Sequence, residues 1–154
     1  MTPVFNTKLG EFDAEEDKLI SFPFGLIGFP QYRKFLLHQE KGPFLWLLST
    51  EDARMGLPLI DPRQVKPGYA PVMPPGGLEI LQARTPEEIV YLTVVVVPER
   101  VEEIRTNLAA PIALNPEKRL GIQLVVPDAD LPTHYPLYDK LQARRPADAS
   151  RSQG

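Results

Sequence analysis

Two histidines, a serine at the end of an apolar run and a dense group of carboxylates are the residues of this chain whose types could do chemistry. His38 and His134 stand far apart, and neither has a second histidine at a metal-ligand spacing, so a metal site would need carboxylates brought in from a distance. Ser49 with His38 and an aspartate could form an acyl-transfer triad. No Gly-x-Ser-x-Gly elbow surrounds Ser49, however, and "LLSTED" reads as a strand end followed by an acidic turn. The glycines of "PFGLIGF" do not match the G-x-G-x-x-G spacing that cradles a dinucleotide, so they read as turn formers. The chain has no cysteine, which removes disulfides, thiolate metal sites and cysteine nucleophiles. No enzymatic activity, metal or cofactor is predicted.

The remaining candidates are suited to binding. "EFDAEED" (11–17) places Glu11, Asp13, Glu15, Glu16 and Asp17 on what reads as a hairpin loop. Such a loop is either a solvated turn or an electrostatic docking site for a basic partner, which it would steer through long-range attraction. The net charge of −3 argues against direct contact with a nucleic-acid backbone, so any link to RNA would run through a basic protein. In "SFPFGLIGF" the aromatic residues Phe22, Phe24 and Phe29 read as core. A loop that holds Phe24, Leu26, Ile27 and Phe29 between prolines can hardly bury them all, which leaves at least one as an anchor for a partner.

The elements that would position these residues follow from proline and from short apolar runs. The 18 prolines fix φ and remove donors, so no long helix can be drawn through 58–75 or 111–136. "KLISFP" (18–23), "KFLLHQ" (34–39), "FLWLLS" (44–49), "IVYLTVVVV" (89–97), "LAAPIAL" (108–114) and "GIQLVV" (121–126) read as strands bounded by turn residues. "IVYLTVVVV" reads as a central strand covered on both faces, and "LNPEKRLG" as a loop that returns the chain into 121–126 as an antiparallel neighbour. Helix is expected only as brief pieces at 74–81, at 98–105 with Pro98 in the first turn, and at 135–141. The expected fold is mainly β: a compact antiparallel barrel-like or sandwich domain over 1–142 with a few short helical turns. Residues 143–154, small, polar and charged, are expected to form a disordered tail. No run reaches the ~20 apolar residues of a membrane span, and the start lacks the pattern of a signal peptide, so a cytoplasmic protein is predicted.

"SFPFGLIGFPQYRKFLL", "PFLWLLSTED", "LIDP" with Tyr69 downstream, a valine-rich strand, "NLAAPIALN" and "GIQLVV", in that order, resemble the flagellar assembly factor family, FliW, from about residue 4 to residue 138. Where the family has a Leu-Ala-Phe-like strand, this chain has "MGLPLI", and Pro58 predicts an edge or bulged strand there. The resemblance implies a cytoplasmic, mostly β binding protein and no enzyme. It would bind newly made flagellin and, in mutually exclusive fashion, the RNA-binding translational repressor CsrA. By antagonising CsrA allosterically, it would couple flagellin translation to flagellin export. A monomer is expected when free. The expected partner-binding residues are Glu15, Glu16, Asp17, Phe24, Leu26 and Phe29, joined by Tyr69 and Asn107 from the matching stretches. In the scaffold, Asn107 would cap a turn, Pro111 would mark an edge or bulge, and Gly121 would admit a bend. A β-barrel that binds a small cofactor, or a small hydrolase, is the alternative.

Overall fold

The structure is a computed structural model that describes residues 2–39, 41–126 and 130–142; the tail expected from residue 143 lies outside them. The strands are β1 (Thr2–Asn6), β2 (Gly10–Ala14), β3 (Leu19–Ser21), β4 (Lys34–Gln39), β5 (Phe44–Ser49), β6 (Gly56–Ile60), β7 (Val90–Val96), β8 (Arg105–Thr106), β9 (Ile112–Asn115), β10 (Leu120–Gln123) and β11 (Tyr135–Pro136). Among the described residues, helix is confined to α1 (Gly77–Ile80), to 3-10 turns such as Glu16–Lys18 and Val101–Glu103, and to residues 138–142.

Seven strands close into a barrel in the order β3-β4-β5-β6-β7-β9-β10, and β10 returns to β3. The closing contact is parallel, Leu120 against Ser21, with the Ser21 amide donating to the Arg119 carbonyl at 2.9 Å; the other six pairings are antiparallel. Period-two alternation sends Phe35, Leu47, Leu59, Leu92, Ile112 and Leu114 into one interior cluster. Closure also removes the open edges that a sheet of this length would expose.

Three further clusters coat the barrel. The β1–β2 hairpin lays Val4 and Ala14 on Leu48 and Leu19. Residues 69–83 cover Ala113, Ile122 and Leu124. Ile104 and Leu137 cover Ile60 and Val95.

Several expectations change. β7 is central, pairing with β6, β8 and β9, and is covered on both faces only through its middle: Leu92 inside and Thr93 and Val95 outside are buried, while Val90 and Val96 at its ends and Val97 just beyond are exposed. A barrel strand has one packed inner face, and its outer face is covered only where another segment crosses it. β6 lies inside the barrel order. Pro58 faces Trp46 of β5, whereas β7 pairs only with Leu59 and Ile60, so the proline sits where one side of β6 has no ladder partner. The acidic segment is not a hairpin loop: the hairpin turns at residues 7–9, Glu11 and Asp13 lie on β2, and Glu15, Glu16 and Asp17 form the exposed connection to β3.

Asn6 claims that hairpin turn by accepting from the amides of Lys8 and Leu9 at 3.0 and 3.1 Å. Pro98 is not in a helix, since only Val101–Glu103 turn there, and Tyr135–Pro136 form a strand. "LAAPIAL" becomes strand only at Ile112, because 107–111 bulge out between β8 and β9, both of which pair with β7. Gly121 does not bend the chain. A Cβ there would lie 2.6 Å from the Phe22 ring and 2.8 Å from Leu114, so the glycine makes room for Phe22.

Candidate functional site

The connection from Ser21 to Lys34 folds across one end of the barrel. Phe22 and Leu26, 0% and 3% exposed, plug the interior, and the Phe22 ring meets Phe35 edge-on at 5.2 Å between centroids. The Phe22 amide donates to Arg33 O at 2.8 Å, pinching the base of the loop. Its tip is a tight turn in which the Phe29 amide donates to Leu26 O at 2.8 Å and Gly28 takes a positive φ of 86°. Gly25, at φ 66°, admits no side chain: a Cβ would sit 2.6 Å from the Pro30 Cα.

Two sets of side chains staple this loop to the barrel. On one side, Gln123 of β10 accepts from the Ile27 amide at 2.9 Å and donates through Nε2 to Ala110 O at 3.1 Å. On the other, a single Glu51 carboxylate oxygen accepts from the amides of Arg33 and Lys34, both at 2.8 Å. The Tyr32 hydroxyl donates to Asp52 at 2.6 Å, and Arg54 donates to both oxygens of the same carboxylate at 3.2 and 3.1 Å. These bonds, the Arg54 guanidinium first and the Tyr32 hydroxyl next, hold the Asp52 carboxyl well below the usual carboxylate range. Ser49, weighed above as a nucleophile, is buried, and its hydroxyl oxygen accepts the amides of Glu51 and Asp52 at 3.0 and 3.1 Å. It holds this turn. His38 faces Trp46 across the ladder while Ser49 faces Phe35, so the two do not meet as a triad requires.

With the loop fixed on both sides, Phe24, Ile27 and Phe29 are 63%, 54% and 40% exposed. Phe29 also stacks on Tyr32, with centroids 6.3 Å apart. A cleft of about 280 Å³, lined by Phe24, Ile27, Pro30 and Ile122, separates the loop from β10. Val125, two residues beyond Gln123, is exposed as well. Apolar side chains held out on a rigid backbone lose little further freedom on binding, which is what an anchor for a partner requires.

The other residues marked in the sequence take different places. Leu26 is buried and belongs to the plug. Tyr69 is 3% exposed; its hydroxyl donates to Leu108 O at 2.7 Å and burial raises its phenol, so neither side chain offers a contact surface. Asn107, half-buried, accepts the Ala109 amide at 2.9 Å and so caps the bulge. Tyr69 and Asn107 therefore shape the 107–111 segment, whose Ala110 carbonyl holds Gln123, which in turn holds Ile27. They support the loop from behind. Glu15, Glu16 and Asp17 are exposed and separate from it in the chain; Glu16 accepts from the Thr2 hydroxyl at 2.8 Å. Ile27 was among the loop residues expected to leave an anchor exposed, whereas Gln123, Glu51 and Asp52 were missed as site residues. Only "STED" carried a signal, as an acidic turn beside a strand end.

Comparison with known proteins agrees with this architecture. The profile of the FliW protein family matches residues 4–137. The flagellar assembly factor FliW of Thermotoga maritima is 37% identical over 142 residues, covering 90% of this chain and 95% of its own. That of Caldicellulosiruptor bescii is 34% identical over 135 residues, covering 87% and 89%. A crystal structure of the flagellar assembly factor FliW superposes with a TM-score of 0.83 at 27% identity, covering 88% of this chain and 96% of that one. In sequence and in its closed barrel, the chain belongs to the FliW family.

Proposed function

We propose that this protein is a cytoplasmic flagellar assembly factor that binds flagellin and CsrA in mutually exclusive fashion and, by antagonising CsrA allosterically, couples flagellin translation to export. The names of its relatives support the assembly role, and they describe no enzyme. Among the described residues no helix is long and apolar enough to cross a membrane. The observation that carries the flagellin half is the stapled loop, whose Phe24, Ile27 and Phe29 form a preformed apolar anchor for an unassembled, amphipathic segment. The CsrA half rests on charge: Glu15, Glu16 and Asp17 present adjacent exposed carboxylates to a partner that must carry basic surface. Mutual exclusion then makes free protein a gauge of flagellin level, because one ligand displaces the other only through a difference in affinity. The free protein is taken to be a monomer.

One binding experiment separates the halves. Phe24→Asp with Ile27→Asp should weaken purified flagellin about a hundredfold, the order of two lost anchors, and leave the CsrA association rate nearly unchanged. Replacing Glu15, Glu16 and Asp17 by Lys should slow CsrA association about tenfold at low salt, with the difference shrinking as ionic strength rises. If the double Asp variant binds flagellin as tightly as the parent, the loop is not the anchor. An unchanged rate for the Lys variant returns the acidic connection to a solvated turn.

A further inference from the structure

The end of the barrel opposite the loop is open. A cavity of about 440 Å³ enters there between the strands, its apolar walls formed by Ile20, Leu37, Leu45, Leu92 and Leu114 of the interior cluster and its outer lip by Val90. The rim carries one carboxylate, Asp17, and two cations, Lys18 and Arg119. Neither cationic side chain makes a hydrogen bond or ion pair with a described residue, so the rim has a positive excess on a chain of net charge −3. Arg119 also occupies the left-handed region, at φ 54°, in the turn between β9 and β10. Glycine or asparagine adopts that conformation with less strain, so an arginine there is held at a cost to the fold, as happens at binding sites.

We propose that this mouth binds a linear apolar chain that ends in a carboxylate, of the class of medium-chain fatty acids, with the chain between the leucines and the head group on Lys18 and Arg119. The volume lies in the range of small-ligand sites, and the lining has their character: mostly apolar, with a few charged groups at one edge.

The test is a titration of the full chain with sodium decanoate and with 1-decanol, followed through leucine and isoleucine methyl NMR signals. Decanoate should shift Ile20, Leu37, Leu45, Leu92 and Leu114 saturably and leave Ile27 in place. Arg119→Asn should weaken decanoate about fivefold, the order of one exposed ionic contact, and leave decanol unchanged. It should also raise Tm by about 1–3 °C, as strain is released. Lys18→Gln, in an unstrained position, should weaken decanoate without that gain. Decanoate affinity unchanged from the parent in both variants overturns the proposal. So do shifts confined to the Phe24–Phe29 loop, and so does movement of the mouth signals on dilution without decanoate, which would give the mouth to a second copy of the chain.

Discussion

The two ends of the barrel are built from the same alternating leucines and finish in opposite ways. At one end the wall continues into residues 22–33, a connection long enough to fold over the opening, and its Phe22 occupies space that Gly121 leaves free. At the other end the β9–β10 turn returns at once, and the long excursion after β6 spends its apolar residues on the outer face of the barrel, so Leu37 and Leu45 stay half-buried around a void. Closing a small barrel sideways therefore does not close it lengthwise. Each end is sealed or left open by what its loops carry.

The largest effect should come from removing the plug. Phe22→Ala leaves a cavity against Gly121 and Phe35 and should cost about 3–5 kcal/mol in urea unfolding, whereas Leu45→Ala at the open mouth should cost less than about 2 kcal/mol, since water already reaches it. Similar losses at the two ends would erase the distinction. Next comes the staple: Gln123→Ala should cost about 1 kcal/mol, the net worth of a hydrogen bond, and should speed hydrogen exchange at the Ile27 amide far more than at Leu114 in the barrel wall. Unchanged exchange at Ile27 would mean that the loop holds its shape without Gln123.

The smallest effect concerns pH. Because the folded Asp52 carboxyl is held below its ordinary value, the stability it contributes is fully present above the ordinary carboxylate range and is lost only as pH falls through the lowered folded value. No loss from this group is therefore expected between pH 7 and about 5. A side-chain carbon-13 titration of Asp52 should show a midpoint well below that of a free aspartate, and Arg54→Ala should move it upward. An ordinary midpoint in the parent would mean that the Tyr32–Asp52–Arg54 side of the staple is open in solution.

Much of the wall was legible in the sequence. "KFLLHQ" and "FLWLLS" match β4 and β5 at both ends, because period-two patterning and flanking turn residues both depend only on near neighbours. The exposed part of the site was legible for a similar reason: a loop crowded with Phe24, Ile27 and Phe29 cannot hide them all. The supports were not. Tyr69 bonds to Leu108 and Gln123 to Ile27, across separations that leave no periodic trace, so Tyr69 was taken for surface and Gln123 was passed over. Gly121 was read as a bend because sequence shows that a side chain is missing but not which ring fills its place. The family resemblance placed the segments in order, yet it carried no information on which end of the barrel was sealed.

The barrel's seam has a kinetic consequence. β3 and β10 meet through Leu120 and Ser21, positions whose separation, ~100 residues, makes this among the slowest kinds of contact for a chain to find. During synthesis the β3–β6 meander can pair as it emerges, but its outer edge at β3 waits for the last hairpin of the wall to arrive. Until then that edge offers unpaired amides and carbonyls to any other nascent strand. The seam should form late in refolding, so Leu120→Ala should hasten unfolding more than it slows folding.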